Sequence, residues 1–438
     1  METDKTTLND LSIFDHENEF SVFDKLNLTR TTGGRERLRQ IFTRSLPDID
    51  SIKNVQKILK IFIKKRDQWP LTVSNGSVMM LYKFFESTID EPPSRATVFS
   101  AYLYKLLHGP DFSLVKYSVG HAFDFIKVMK QMVDIFLNDE APINLRKQLQ
   151  KAEILVDRQP LQIVFTKEKA ENLSDAEMLS FAHYVRYNYK QYLFELVDIY
   201  SQLDAWYGMA LAINQYQLTF PEFIPSDEPA MKAKKLYHIL LSDPVAYDVE
   251  LNQNNNFIFL TGANMAGKST FIKAVGSAVF LAHIGMGVPA ESMELTLFDG
   301  LLSNINVVDN IVKGESFFYN EVQRIKNTIL KVNDSRKWLI LIDELFKGTN
   351  VEDSMKCSTV VIEGLIKIRR SLFILSTHLY EISENLKDYP NIDFKYFETQ
   401  VTEEKLIFNY QLKNGVSNDR LGYLILKREN VIELLENL

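Results

Sequence analysis

Residues 259–270 of the sequence, FLTGANMAGKST, combine the residue types that bind phosphate groups. Gly262 and Gly267 are followed by Lys268 and Ser269, which is the full spacing of a phosphate-binding loop. Glycines let backbone N–H groups turn towards phosphate oxygens, the lysine reaches the β- and γ-phosphates, and the serine hydroxyl ligates Mg²⁺. A strand-like run precedes the loop and a helix follows it, so the positive end of a helix also faces the site. The predicted ligands are ATP and Mg²⁺, and the predicted binding residues are Gly262, Ala263, Asn264, Met265, Ala266, Gly267, Lys268, Ser269 and Thr270.

Two further apolar runs end in side chains suited to nucleotide hydrolysis. WLILIDE ends in Asp343 and Glu344, and LFILSTH ends in His378. In a nucleotide hydrolase the first acid holds Mg²⁺ through water, together with Ser269, and the second polarises the attacking water. The histidine can contact the γ-phosphate or its water, although a histidine at a strand end is also often a capping or core residue. We therefore predict Glu344, His378 and Lys268 as catalytic residues, and Ser269 and Asp343 as metal ligands.

The adjacent acids bear on the type of reaction. A small-molecule kinase must keep water away from the γ-phosphate, whereas an Asp-Glu pair at a strand end is typical of ATPases that drive motion. The sequence therefore predicts an ATPase.

The composition of the chain limits which ligands, cellular compartments and membrane associations are possible. The 438 residues carry a formal net charge of -7, so any nucleic-acid contact must be a local patch. The single cysteine, Cys357, excludes a disulfide framework and fits a reducing cytoplasm, which is the predicted location. The N-terminal residues do not resemble a signal peptide, and no uncharged apolar run reaches the roughly 20 residues that span a bilayer.

The pattern of apolar residues changes along the chain. Residues 11–240 are mostly of helical period, and 176–216 keep that period without a proline, which predicts a helix of roughly 60 Å acting as a lever. The alternative is two packed helices with a break. A proline-rich and acidic segment, 219–230, marks a linker. Short β-rich runs then alternate with helical patterns, which predicts a mostly parallel α/β sheet.

Together these residues resemble the MutS family of DNA mismatch-repair ATPases. TGANMAGKST follows the family's TGPNMGGKST loop, with Ala263 and Ala266 as replacements. VDNIVKGESFFYNEV is similar to a second family segment through Asp309, Gly314, Ser316 and Glu321. DELFKGTNVED and STH (376–378) match two more, and residues 20–52 resemble the start of the family's core domain. The matching positions there are Asn27, Thr29, Thr31, Gly34 and Leu38.

The resemblance implies a fold and a domain order. It implies an α/β P-loop ATPase domain of the ABC and MutS type, preceded by a mainly α-helical core and lever domain. The expected limits are an N-terminal tail at 1–18, the helical domain at 19–225 and the ATPase domain at 226–438. Because the chain begins where the family's core domain begins, we expect it to lack the mismatch-reading and connector domains and to bind a mismatch no better than a perfect duplex.

The resemblance also implies a homodimer with composite ATP sites. Each ATP would lie between the loop of one subunit and Ser316 of the other, and ATP-driven dimer closure would act on DNA through the levers. Ser316 also suits a helix N-cap, which is the alternative role. Tyr247 is the nearest aromatic residue that could stack on adenine.

DNA contact is the least constrained prediction, and two basic sets could supply it. One is a basic stretch near the N-terminus that also suits a solvated helix face, and the other is scattered over the later helices. We therefore keep two functions open: a DNA-associated ATPase linked to repair or recombination, and an ATP-switched protein-interaction module without DNA contact. The first set is Arg30, Arg35, Arg37, Arg39, Arg44, Lys53, Lys57, Lys60, Lys64, Lys65 and Arg66; the second is Lys127, Lys130, Arg146, Lys147, Arg186 and Lys190.

Overall fold

A computed structural model of the chain describes residues 1–15, 20–305, 317–402, 405–417 and 430–436. The chain divides into two compact units. Unit 1 comprises residues 1–25, 44–52 and 215–438, and unit 2 comprises residues 26–43 and 53–214. None of the described helices is both long and apolar enough to cross a membrane.

The short 3₁₀ turns that lie between some of the α-helices are not numbered, and the α-helices are numbered in chain order. They are α1 Lys5–Asp10, α2 Val22–Leu26, α3 Thr32–Thr43, α4 Ile49–Lys64, α5 Asn75–Glu86, α6 Val98–Leu107, α7 Gly109–Phe136, α8 Ile143–Val156, α9 Gln162–Thr166, α10 Asp175–His183, α11 Lys190–Gln215, α12 Lys268–His283, α13 Phe317–Val332, α14 Val351–Leu365, α15 Ile382–Leu386 and α16 Val431–Glu436.

The strands all lie in unit 1. They are β1 Glu222–Phe223, β2 Met231–Leu236, β3 Tyr247–Leu251, β4 Phe257–Thr261, β5 Ser292–Leu295, β6 Gly300–Asn304, β7 Trp338–Asp343, β8 Ser371–Ser376, β9 Ile392–Thr402 and β10 Lys405–Asn414.

Six strands form the main sheet of unit 1, in the order β10-β9-β4-β8-β7-β6. All neighbours are parallel except the antiparallel β9–β10 pair. Every residue of β4, β7 and β8 is buried, as expected for parallel strands covered by helices on both faces. The predicted mixed α/β fold with a mostly parallel sheet and a helical N-terminal part is confirmed.

A second sheet of four short strands has the order β1-β5-β2-β3. Buried and exposed residues alternate along β3, so only one face of this sheet packs on the core. The segment between β3 and β4 is short, and β3 therefore brings Tyr247 close to the loop that follows β4.

The N-terminal helix α1 is part of unit 1. Its last residue, Asp10, is 2% exposed and accepts hydrogen bonds from Ser303 Oγ at 2.6 Å and from the backbone N–H of Ile305 at 3.0 Å. Arg324 Nη2 lies 2.8 Å from the same carboxylate. These bonds tie α1 to the end of β6 and to α13. The predicted domain limits, 1–18, 19–225 and 226–438, stay a prediction. The observed units are divided differently, since residues 1–25 belong to the same unit as residues 215–438.

The regular elements of unit 2 are all helices, joined by loops. The predicted uninterrupted helix over 176–216 was wrong at its centre, because α10 and α11 are joined by a π-helical turn, Tyr184–Asn188, and by Tyr189. The buried Asp204 on α11 accepts hydrogen bonds from Thr31 Oγ1 and from the backbone N–H groups of Arg30 and Thr31. A Cβ on Gly34 would lie 2.1 Å from Asp204 Oδ2, so only glycine fits there. The segment that resembles the family's core domain is thus fixed to α11.

Candidate nucleotide site

The loop between β4 and α12 has the backbone that its glycines predict. Gly262 and Gly267 have φ angles of 143° and 108°, and Met265 also has a positive φ of 69°. L side chains rarely adopt the first two conformations, and a Cβ on Gly262 would lie 3.3 Å from the backbone of Phe397. The loop therefore passes close to β9, and the N-terminus of α12 begins directly after it at Lys268.

Lys268 is buried and folds back over this loop. Its Nζ donates hydrogen bonds to the carbonyl oxygens of Gly262 at 2.8 Å and Ala263 at 3.1 Å, and it lies 3.7 Å from Glu344 Oε1. Burial lowers the pKa of Lys268, although Glu344 and Asp343 oppose that shift. The ammonium group is positioned beside the loop, where a phosphate could replace its carbonyl partners.

A hydroxyl and a carboxylate meet at the start of α12. Ser269 Oγ donates to Asp343 Oδ2 at 2.5 Å, and Ser376 Oγ at the end of β8 donates to Asp343 Oδ1. Asp343 lies at the carboxyl end of β7, so three neighbouring elements converge here. The arrangement offers hard oxygen ligands of the kind that Mg²⁺ prefers.

Glu344 follows directly and lies close to two lysines and a histidine. Lys347 Nζ lies 3.3 Å from Glu344 Oε2, and His378 Nδ1 lies 3.6 Å from Oε1. Burial acts to raise the pKa of Glu344, but His378, Lys347 and Lys268 together outweigh it and lower the pKa to about 2. Glu344 is therefore an anion at neutral pH and can accept a hydrogen bond from water.

The segment after Glu344 is held against α13. Glu344 and Phe346 both have a φ of 58°, a conformation that non-glycine residues seldom adopt. Phe346 is buried and packs on Phe318, with ring centroids 5.6 Å apart. Burial raises the pKa of Glu321 on α13, and the backbone N–H groups of residues 346–348 oppose that shift. These contacts link the start of α13 to the loop that carries Glu344.

A cavity of about 610 Å³ lies over the loop and contains most of these groups. Leu241, Val245 and two tyrosines add an apolar side to it. Tyr247 is 6% exposed and forms a cluster of three mutually contacting rings with Phe271 and Phe397, and burial raises the pKa of Tyr247 to about 12. Tyr410 on β10 is 41% exposed, and its ring lies 3.3 Å from where a Cβ of Gly267 would be. Tyr410 has the more accessible ring for stacking.

The structure brings the predicted residues of the loop, the β7 end and the β8 end together in one place. Their roles stay predictions. Ser316, with Asp309 and Gly314, lies outside the described residues. Three neighbours were missed from the sequence: Lys347, Ser376 and Tyr410. Ser376 and Lys347 lie within three residues of predicted site residues, so this closeness in the sequence could have identified them. Tyr410 is distant in the sequence and is brought to the site by the β9–β10 hairpin.

Comparison with known proteins identifies a family model and several similar proteins. Residues 258–433 match the family model of MutS domain V. DNA mismatch repair protein MutS of Thermotoga maritima is 29% identical over 60% of this chain and 33% of its own length. The corresponding protein of Petrotoga mobilis is 28% identical over 54% of this chain and 29% of its own length. Human MutS protein homolog 4 is 29% identical over 53% and 25%. The chain thus spans about a third or less of the length of these relatives.

Proposed function

The chain belongs to the MutS family, and from that premise we propose that it binds and hydrolyses ATP and couples nucleotide-driven dimer closure to DNA binding. The observation that carries the proposal is the convergence of Lys268, Ser269, Asp343 and Glu344 around one cavity. Ligands of open parallel sheets bind at the carboxyl ends of the strands, where these residues lie. Recognition of mismatches by these 438 residues is not part of the proposal.

In this account the loop and Lys268 bind the phosphates of ATP. Lys268 leaves the carbonyl oxygens of Gly262 and Ala263 and pairs with the β- and γ-phosphates, which carry more negative charge. The N–H groups at the start of α12 add their partial positive charge. Because burial weakens the hydration of Lys268, its interaction with a phosphate is stronger than at the surface.

Mg²⁺ fits the oxygen atoms at the start of α12. Ser269 Oγ and Asp343 Oδ2 already lie within hydrogen-bonding distance of each other. A bound Mg²⁺ would neutralise charge on the β- and γ-phosphates. Ser376 holds the second oxygen of Asp343, so the carboxylate keeps its orientation.

Glu344 is proposed to orient the water that attacks the γ-phosphate. When Lys268 turns to the phosphates, Glu344 loses one of its cations but stays close to His378 and Lys347. Its carboxylate accepts a hydrogen bond from the water, the water oxygen forms the new bond to phosphorus, and the bond to ADP breaks. The proton of the water ends on the released phosphate, and His378 is the second group within reach of that water.

The aromatic side of the cavity is proposed to hold the adenine. Tyr410 offers an accessible ring close to Gly267, while Tyr247 is buried against Phe271 and Phe397. Tyr410 therefore replaces Tyr247 as the candidate stacking residue. Leu241 and Val245 complete the apolar surface for the base.

Dimerisation with composite sites is part of the proposal because the resemblance of residues 308–322 to a family segment implies it, with Ser316 as the residue given to the partner subunit. Within one subunit, α13 contacts the loop after Glu344 through Phe318 and Glu321, which follow Ser316 closely in the chain. A change at Ser316 could reach Glu344 through these contacts.

For DNA, the second basic set contains several cations that are engaged within unit 2, and the first set contains a cluster of exposed cations on one helix. In the second set, Lys127 donates to the carbonyl oxygens of residues 167 and 168, Arg186 to those of Phe84 and Ser87, and Lys130 pairs with Asp134. These cations are used inside unit 2. In the first set, four exposed lysines share one face of α4 over about 16 Å of helix. They are Lys53, Lys57, Lys60 and Lys64.

Binding to duplex and branched DNA at several salt concentrations tests this role. Triple substitution of Lys53, Lys57 and Lys64 by Glu should weaken binding and reduce the steepness of its salt dependence, by up to about one unit of log–log slope for each lost phosphate contact. Lys83→Glu on α5, also exposed and in neither basic set, is the control and should change neither. Salt-independent or absent binding by the wild type, together with an ATPase rate that DNA does not alter, would favour the interaction module instead.

A further inference from the structure

Helix α6 presents an apolar face to solvent. Its buried residues are Ala101 and Tyr104, and six large apolar side chains are 42% to 85% exposed. With 100° between successive residues, Phe99 and Leu106 point about 180° away from the buried pair. This is the reverse of an ordinary surface helix, whose outward side is polar. The exposed residues are Val98, Phe99, Tyr102, Leu103, Leu106 and Leu107.

The same face carries no charge. The helix sequence VFSAYLYKLL contains one charged residue, Lys105, on the flank. Its Nζ lies 3.0 Å from Asp175 Oδ2 and 4.8 Å from the ring centroid of Phe112, so it is held against unit 2. A second surface of the same composition could therefore approach without like-charge repulsion.

The exposed area is large enough for a stable interface. With about 150–250 Å² for each aromatic side chain and about 100 Å² for each aliphatic one, the six exposed fractions sum to roughly 470–600 Å². A standard interface buries about 800 Å² on each side, of which about 65% is apolar in homodimers. The face thus supplies the apolar area of one complete half-interface.

The positions of the six residues are symmetric along the helix. They fall in the pairs 98 and 99, 102 and 103, and 106 and 107, centred between Tyr102 and Leu103. In two antiparallel helices related by a two-fold axis at that centre, Phe99 lies opposite Leu106 of the partner subunit. Tyr102 likewise lies opposite Leu103 of the partner subunit. Such self-complementarity is the requirement of a two-fold interface.

From this area, neutrality and symmetry we propose that α6 pairs with α6 of a second copy of this chain in an antiparallel two-fold contact. Duplex DNA fits the face poorly because phosphates require Lys or Arg. A membrane surface also fits poorly, because interfacial helices present a basic polar face, whereas the opposite side of α6 is buried in protein. The contact goes beyond the proposed function, since it needs no nucleotide and involves no residue of the ATP site.

Paired cysteines test the contact without ATP. Cys357 is first replaced by Ser, and then Phe99→Cys and Leu106→Cys chains are produced separately and co-expressed. Facing residues of packed helices come within the Cα separation of roughly 4.4–6.8 Å that a disulfide needs, whereas residues 99 and 99 of the two subunits would be about 10 Å apart along the axis. Oxidised dimer should therefore form in the co-expressed pair and not in either variant alone.

Ile154, which is 69% exposed on α8, supplies the control. Co-expressed Phe99→Cys and Ile154→Cys chains should give on the order of tenfold less cross-linked dimer, because only docked thiols reach a millimolar effective concentration. All of these sites are exposed, and circular dichroism verifies that each variant folds. Equal cross-linking in the control pair, or none in the Phe99 and Leu106 pair, would overturn the proposal. Nucleotide-free conditions keep this outcome separate from any failure of the ATP site.

Discussion

Lys268 Nζ lies 3.7 Å from Glu344 Oε1. The residue proposed to bind phosphate and the residue proposed to orient water thus form an ion pair. Lys268 also donates to two carbonyl oxygens of its own loop. These neutral partners hold the ammonium group less strongly than a second carboxylate would, so a phosphate can displace them more easily. ATP binding should release Glu344 from this pair, which would link occupation of the loop to readiness for hydrolysis.

Tyr410 should contribute to nucleotide affinity through its ring. Tyr410→Ala should raise the Kd for ATP about tenfold, since stacking on a base is worth about 1–3 kcal/mol. Tyr410→Phe keeps the ring and should stay close to wild type. Isothermal titration calorimetry with a slowly hydrolysed ATP analogue measures both. An unchanged Kd for Tyr410→Ala would place the adenine elsewhere in the cavity.

Asp10 should be far more important for stability than Glu2, although both bind arginine near the N-terminus. Asp10 is buried with three donors around one oxygen, so Asp10→Ala should lower the unfolding free energy by about 3 kcal/mol. Glu2 pairs with Lys331 and Arg336 at the surface, so Glu2→Gln should cost less than about 1 kcal/mol. Urea denaturation compares the two. Similar losses for both would show that α1 is not an integral part of unit 1.

His283 should make stability depend on pH. Its Nδ1 contacts the carbonyl oxygen of Val279 at 2.8 Å, and its Nε2 accepts the N–H of Phe298 at 3.0 Å, so the neutral ring is fixed in one tautomer. Burial lowers the pKa of His283 to about 3. Below the unfolded pKa of about 6.5 the unfolded chain gains a proton that the folded chain does not, so stability falls as the pH drops.

The size of that effect can be isolated by substitution. Between pH 7 and pH 5 this histidine should remove about 2 kcal/mol of unfolding free energy. His283→Gln should be less stable at pH 7, but its stability should decline less over the same range, by about that amount. Urea titrations at the two pH values measure the difference. Parallel declines in both proteins would mean that His283 accepts a proton in the folded state.

The composite site makes a prediction about mixed dimers. Lys268→Ala and Ser316→Ala chains should each be nearly inactive alone. A mixed dimer has one intact site and one site with both defects, so random exchange should restore up to about a quarter of the wild-type rate if one site can turn over by itself. Native mass spectrometry first verifies that subunits exchange. If mixed dimers form without activity, either Ser316 acts in its own subunit or the two sites must hydrolyse ATP together. A tandem dimer with both substitutions in one half distinguishes these two explanations.

Short-range patterns predicted the strands that carry the site. The apolar runs of β4, β7 and β8 are bounded by polar or glycine residues, and burial on both faces permits no other pattern. The loop was predictable because glycine spacing encodes its positive φ angles directly. The run KLIFNYQL (405–412), one of the short β-rich runs after residue 230, likewise lies in a strand, β10.

Long-range pairings account for what was missed. Tyr410 reaches the cavity only because β10 folds back on β9, and nothing in its own neighbourhood indicates a nucleotide. Asp10 and Arg324 are 314 residues apart, so their pairing has no local signature. The π-helical turn at 184–188 interrupts a sequence whose helical period continues across it, because tertiary packing rather than propensity decides such irregularities. In the same way, the exposure of α6 could not be read from its apolar composition.

The most direct test of the central claim is a comparison of ATP binding with ATP hydrolysis in Glu344→Gln. The substitution removes the negative charge that orients water but leaves Lys268 and the loop intact, so ATP should still bind at least as tightly as in the wild type. Hydrolysis should fall by about 100-fold or more, as for loss of a group that acts in proton transfer. Glu384→Gln, an exposed residue on α15, is the matched control and should hydrolyse ATP normally. Tight binding with a single-turnover rate near zero is the predicted result, and wild-type turnover by Glu344→Gln would contradict the proposed mechanism.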